Sequence, residues 1–430
     1  MMYTVPYSKE TLTFELPKGM TGTLVESKRV PPIEEVDKAV AEALAGPVNS
    51  PRLRELAKPG DTVCIVFTDI TRASPDYLLV PPLLAELDAT GVCDEDITLL
   101  CGIGMHRPSS PEEKVTKLGQ AVVDRYRVVD HEPQNPEALV DLGVTESGIP
   151  LSVNKIVYEA DLLIATGIVE PHQYAGYSGG RKTLAVGAAG EKMIAYTHGP
   201  QMVDHPGTRL GRIEGNPFHE AVTEAARRAG LKFIVNVVLD DEKRMVAVRA
   251  GEPEAAFMEL VAFARSICEV PIPHQYDVAV GGVGFPKDAN LYQTSRAASY
   301  LHFAPTPMVK PGSFYILPAR CEEGAGEGVG EQRFLEKLRD ATDMTSLLEE
   351  LRRTGYPPGA QRAFIMAKVM EECEVIIVGS ECPDIVRQAK MIPAADMDEA
   401  FHIVTEKLGP NLDVLIVPHA LLTLPVVQQM

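Results

Sequence analysis

Three histidines and one lysine stand where a chain can place acid–base and nucleophilic chemistry. His106 lies in Gly104-Met105-His106-Arg107 and His172 in Glu170-Pro171-His172. His198 opens His198-Gly199-Pro200, and Lys182 falls near the end of the run Gly176-Tyr177-Ser178-Gly179-Gly180-Arg181-Lys182-Thr183. Imidazole titrates near neutral pH, so His106 and His172 are each a candidate proton donor or acceptor. Asp69, in Asp69-Ile70-Thr71-Arg72, could orient one of these rings or serve as a turn or cap residue. Arg72 offers a two-pronged donor to a carboxylate or phosphate, or a surface ion pair. The glycine-rich run is not a P-loop: counted from Gly176, GxxxxGK(S/T) needs glycine where Arg181 stands. Its backbone followed by Arg181 and Lys182 still suits an anion, and Lys182 could be a nucleophilic amine or a solvated charge. His198 could ligate a metal or cap a helix end, and no HExxH or CxxC fixes a closed metal site.

The elements that must hold these residues alternate between short β-branched runs and longer helical stretches, an α/β pattern. Strands are expected at 61–69, 96–102, 160–167, 232–240, 276–282, 313–319, 374–380 and 412–418. Helices fit 111–126, 216–230, 252–270, 331–355 and 360–373. A further helix should follow Ser74-Pro75-Asp76, with Ser74 as N-cap and a break or kink at Pro81 and Pro82. Ligands of open α/β sheets bind beyond the carboxyl ends of strands. Asp69–Arg72, Gly104–Arg107, Glu170–Thr183 and Phe285–Gln293 each follow an expected strand, and that convergence is the main signal. The Pro-rich segment 270–275 reads as a linker dividing two α/β domains, 1–270 and 276–430, with the site in the cleft between them. The GAGEGVG run at 324–330 is no GxGxxG and reads as a flexible loop.

Composition narrows the class. Of 430 residues, 45% are hydrophobic and 23% charged, so the chain can bury a core. With 41 basic and 60 acidic side chains the net charge is −19, which argues against nucleic acid or an anionic membrane as main partner. A small anion remains open, since a few local cations can bind one. Seven scattered cysteines without CxxC argue against a disulfide scaffold and for a reducing, cytoplasmic setting. No apolar run is long enough for a membrane span.

Taken together, DITR (69–72), GMHR (104–107), EPHQYAGYSGGRK (170–182), HGP (198–200) and PKDANLYQ (286–293) resemble the nickel-dependent lactate racemase family over most of the chain. The resemblance implies a nickel-pincer nucleotide, a Ni(II)-pyridinium-3,5-bisthiocarboxylate mononucleotide supplied by cofactor-biosynthesis proteins. It implies that Lys182 carries this group through a thioamide and that His198 is the fourth nickel ligand, completing a square-planar set. Asp69, Ile70, Thr71, Arg72, Tyr292 and Gln293 would help hold cofactor or substrate, and His106 and His172 would be the acid–base pair. In the implied reaction a histidine takes the hydroxyl proton of a 2-hydroxy acid while hydride leaves C2, and hydride returns to the other face of the 2-oxo acid. Arg72 and Arg296 are candidates to grip the carboxylate or the cofactor phosphate. Arg296 stands where the family has lysine and Val186 where proline is common, so a substrate larger than lactate, or one with a second acidic group, is expected. Two other readings use the same residues: a divalent-metal hydrolase built on His106, His172 and Asp69, and a non-catalytic binding protein for an anionic metabolite.

Overall fold

The computed structural model describes residues 1–357 and 360–428. Its first body is a six-stranded sheet in the spatial order Met245–Gly251, Leu231–Leu239, Leu162–Ile168, Val63–Thr68, Ile97–Gly102, Arg127–Asp130. All pairs are parallel except Leu231–Leu239 with Met245–Gly251. The inner strands are apolar at nearly every position because helices cover both faces; all six residues of Val63–Thr68 and all seven of Leu162–Ile168 are buried. The sheet grows outward in both directions from these two neighbours. Connections leaving them therefore diverge to opposite sides and leave a crevice beyond their carboxyl ends.

The second body is a six-stranded parallel sheet in the order Ile392–Ala394, Glu374–Val378, Val309–Pro318, Tyr276–Gly281, Asp413–Val417, Thr21–Leu24. All eight strands expected from the apolar runs form. The α/β class with two sheets is therefore as expected. Edge strands were not legible: Arg127–Asp130, Ile392–Ala394 and Thr21–Leu24 are short or largely exposed and lack the doubly buried pattern, while Met245–Gly251 has six of its seven residues buried but carries Ala, Arg and Gly where a β-branched run would show. Thr21–Leu24 lies near the amino terminus yet pairs with Asp413–Val417. Residues 270–275 are not a free linker; Glu269–Ile272 pairs in parallel with Leu424–Val427 and ties the segment between the sheets to the carboxyl end of the chain.

Several helix expectations need correction. The stretch 111–126 is two helices, Pro111–Leu118 and Gln120–Arg125, divided at Gly119, whose φ of +86° ends the first. The stretch 331–355 also splits, into Val329–Asp340 and Met344–Thr354, because Asp343 caps the second by accepting from the Ser346 N–H. Asp76–Asp88 runs unbroken through Pro81 and Pro82; its buried Leu79, Val80, Leu83, Leu84 and Leu87 outweigh the two lost hydrogen bonds. Ser74 is not its N-cap. Pro75 takes that position, and the Ser74 hydroxyl donates to Asp76 instead.

Candidate active site

A cavity of about 580 Å³ opens beyond the carboxyl ends of Val63–Thr68 and Leu162–Ile168, where the strand order reverses. Asp69, Arg72, His106, His172, Lys182 and His198 line it from the first body, and Tyr292, Arg333 and Tyr356 from the second. It is thus a cleft between the two bodies, of a size that takes a small-molecule ligand.

Backbone geometry sets each side chain. Gly104, at φ +55° and with its N–H on the Gly187 carbonyl, turns the loop after Ile97–Gly102 so that His106 faces the cleft. His106 Nδ1 lies 2.6 Å from Asp69 Oδ2. An ionised carboxylate only accepts, so Nδ1 carries the hydrogen and Nε2 keeps its lone pair. Thr71 donates to the other oxygen, Asp69 Oδ1, at 2.9 Å. Burial alone would raise the Asp69 carboxyl, but the His106 hydrogen bond and charge, then Thr71 and Arg72, outweigh it and hold it below its usual range.

His172 is arranged the other way. It sits in the two-residue strand Pro171–His172, and the backbone N–H groups of Tyr174 and Ala175 both donate to its Nδ1, at 3.2 and 3.1 Å. Its hydrogen is therefore on Nε2. The two rings present opposite faces: His106 an acceptor, His172 a donor. Burial first, then the charges of Lys182, His198, Arg72 and Arg296, push His172 well below the ordinary histidine range.

Lys182 lies within the short helix Gly180–Ala185, and His198 caps the carboxyl end of the short helix Glu191–Thr197. The first is anchored by the Gly180 N–H on Asn236 Oδ1, and a Cβ at Gly179 would strike Phe257 at 2.8 Å. The Lys182 amine has no hydrogen-bond or ion-pair partner among the described residues. Burial first, then Arg72, push it down to about 7. His198 donates from Nδ1 to the Ile194 carbonyl at 3.0 Å, which leaves the Nε2 lone pair free. Burial and then Lys182 push it down to about 4, so it is a neutral imidazole at physiological pH. Tyr174 and Phe218 hold the ring edge-on, at 85° and 80°.

The expected residues do not all meet. Ile70, Thr71, Gln293 and Arg296 do not line this cavity, although Thr71 supports Asp69. Arg296 donates to Gln293 Oε1 and Tyr300 Oη and faces a different cavity. Arg181 is turned away from the glycine-rich run. Its guanidinium stacks 3.9 Å from the Phe257 ring and donates to Thr223 Oγ1, so only Lys182 of that basic pair reaches the cleft. Val186 lines the cleft, as do Val329 and Gly330 from the end of the run read as a flexible loop.

Other contributors had no motif to announce them. Asp76, fully buried, accepts from Thr68 Oγ1 and Thr166 Oγ1, both at 2.6 Å, and pairs with Lys117 Nζ at 2.7 Å. Lys117 in turn donates to the carbonyls of Arg72 and Ser74. This buried pair joins the two strand ends at the reversal point and fixes the loop carrying Asp69 and Arg72. Tyr356 donates to the His198 carbonyl at 2.8 Å across the cleft.

Comparison with known proteins gives the family of the chain. Residues 7–211 match the model of the lactate racemase N-terminal domain and residues 273–424 that of the lactate racemase C-terminal domain. The chain belongs to the lactate racemase family. It is 31% identical over 419 residues to the lactate racemase of Thermoanaerobacterium thermosaccharolyticum, covering 96% of each chain. It is 32% identical over 428 residues to the Lactiplantibacillus plantarum lactate racemase, covering 97% of this chain and 98% of the relative. The solved lactate racemase apoprotein from T. thermosaccharolyticum superposes over 100% of both chains with a TM-score of 0.86 at 29% identity. A Thermotoga maritima structural-genomics protein shares the fold alone, with a TM-score of 0.64 at 19% identity over 92% of this chain and 98% of its own. As a member of the lactate racemase family the protein is an isomerase. Among the described residues no helix is long and apolar enough to cross a membrane, and all seven cysteines are free thiols.

Proposed function

We propose that this lactate racemase family member interconverts the enantiomers or epimers of a 2-hydroxy acid, lactate or a larger analogue, with a nickel-pincer nucleotide on Lys182. The observation that carries the reading is one cavity lined by an uncharged-prone amine, a metal-competent imidazole and two further histidines in opposite tautomers. The donor chemistry supports the cofactor. Among the described residues no group of three or more His, Cys, Asp or Glu could hold a metal ion. A metal here needs most of its donors from a non-protein group, with His198 Nε2 adding one, its ring fixed by the Ile194 carbonyl. That also weighs against a hydrolase with a protein-bound divalent ion. Lys182, an amine without a partner, is suited to covalent attachment.

When bound, the nucleotide would supply an electrophilic centre that accepts and returns hydride. The chain's own residues do the rest. Arg72, which lines the cleft without a carboxylate of its own, grips the substrate carboxylate. His106 Nε2 takes the hydroxyl proton, and the Asp69 carboxylate stabilises the imidazolium that forms. His172 donates a hydrogen bond from Nε2 to the substrate oxygen on the opposite side. Tyr292, Arg333 and Tyr356 close the cleft from the second body and keep water from the reacting carbon. The protein would act in the cytoplasm, receiving its cofactor from the proteins that make it.

The test is nickel content and intact mass on protein made alongside the cofactor pathway, with loss of optical activity from single-enantiomer 2-hydroxy acids. An adduct on Lys182, stoichiometric nickel and racemisation are expected, all lost in Lys182→Ala. Absence of all three in a host shown to load another family member would refute the reading.

A further inference from the structure

The segment that follows His198 is fastened to the second body. After Gly199 the chain forms the short helix Pro200–Asp204, in which Met202 and Val203 are buried. It returns to the first body at Gly211, whose N–H donates to the Gly176 carbonyl. Between these points the second body holds it three times. Tyr356 donates to the His198 carbonyl at 2.8 Å, and the Leu210 N–H donates to the Phe303 carbonyl at 2.8 Å. Midway, Asp204 meets two cations. Arg352, on the helix Met344–Thr354, donates from Nε to Oδ2 at 2.8 Å and from Nη2 to Oδ1 at 3.3 Å. Lys368, on the helix Gln361–Glu372, donates to the same Oδ1.

Both cations are themselves held in place. Arg352 rests 5.8 Å from the Phe364 ring centre, and Lys368 lies 6.0 Å from those of Phe303 and Phe364. Glu349 and Glu371 bear on Arg352 at longer range, and Glu371 accepts from the Thr345 hydroxyl. Burial would raise the Asp204 carboxyl, but the hydrogen bonds from Arg352 and Lys368 outweigh it and keep it ionised. A helix of five residues has no stability of its own in water, so its neighbours fix where it lies. Charge-assisted hydrogen bonds fix direction as well as distance, which apolar packing of Met202 and Val203 does not. We propose that Asp204 is a positioning residue: through Arg352 and Lys368 it seats the segment from His198 to Asp204 on the second body, and so sets the His198 ring in the cleft when the two bodies are joined. An imidazole seated in this way holds a metal in the joined form and yields it when the bodies part. This rests on the reading of His198 as the metal ligand.

The test compares full-length wild type with Asp204→Asn, Asp204→Glu and Arg352→Gln; the last alters a side chain on the exposed side of the contact and serves if Asp204→Asn does not fold. The first measurement is amide hydrogen exchange of the cofactor-free protein over 199–205, where the Val203 and His205 N–H groups bond to the Gly199 and Met202 carbonyls. Asp204→Asn and Arg352→Gln should exchange about fivefold faster there, with Leu162–Ile168 and Tyr276–Gly281 unchanged, and Asp204→Glu should restore most of the protection. The second measurement is nickel release into excess chelator from protein made alongside the cofactor pathway. Release should quicken by about the same factor in Asp204→Asn and Arg352→Gln and stay near wild type in Asp204→Glu. Exchange over 199–205 that does not change, or that rises equally in both sheets, overturns the proposal. Faster exchange with nickel released at the wild-type rate overturns it too, because the segment then moves without moving the ring. If no preparation holds nickel, wild type included, while exchange responds as expected, the seating by Asp204 stands and the reading of His198 as a metal ligand fails.

Discussion

Replacing Lys182 with methionine should make the cofactor-free protein more stable, by an amount that depends on pH. Methionine keeps the length of the side chain and removes a charge that the cleft disfavours. With the folded amine at about 7 and an unfolded lysine near ~10.4, the unfolded chain binds the proton more tightly. The sign follows. Below about pH 7 the amine is protonated in both states and the full penalty applies; between about 7 and ~10.4 the unfolded state holds a proton that the native state lacks, so stability rises with pH. Worked through the linkage relation, the wild-type penalty is at most ~4 kcal/mol at pH 7 and ~2 kcal/mol at pH 9. Urea unfolding of wild type and Lys182→Met at both pH values reads the difference directly. The variant should gain most at pH 7 and about half as much at pH 9. A second readout is acylation of Lys182 by a neutral reagent, followed by mass spectrometry. Its rate should reach half-maximum near pH 7, where an ordinary lysine is neutral roughly a thousandfold less often. A variant less stable than wild type at pH 7, or a gain equal at both pH values, would refute the reasoning, because burial of the amine would then not be what depresses it.

Asp69→Asn removes the carboxylate that fixes the His106 tautomer; kcat should fall about 10²–10⁴-fold with KM changed little, measured from both enantiomers, and a change confined to KM would show that Asp69 acts on binding. His198→Gln should leave a folded protein that fails to retain nickel, read by metal analysis after gel filtration alongside an unchanged far-ultraviolet spectrum. Lys117→Met leaves Asp76 buried without its cation and should cost about 3–5 kcal/mol in urea unfolding; a loss under ~1 kcal/mol would mean that the threonine hydroxyls alone satisfy the carboxylate.

The chain alone shows which residues lie near one another where they follow strand ends. Doubly buried strands leave uninterrupted apolar runs, and the residues just after them must lie at one edge of a parallel sheet, so His106, His172, Lys182 and Asp69 could be placed together by number. The same runs determined the α/β class and both sheets. What only the tertiary structure decided is the direction in which side chains point and the partners they meet. Arg181 and Lys182 are adjacent in sequence, yet packing against Phe257 takes one out of the cleft and leaves the other without a partner. Tyr292 and Arg296 are four apart on one helix, yet they line different cavities. The Asp76–Lys117 pair links positions 41 residues apart and has no spacing signature, because it exists only once two helices pack on the reversed strand pair. The opposite tautomers of His106 and His172 depend on whether a carboxylate or two backbone N–H groups face Nδ1. Sequence spells out the groups and the order of the strands. Long-range packing sets the hydrogen-bond partners, and those partners determine what each group can do.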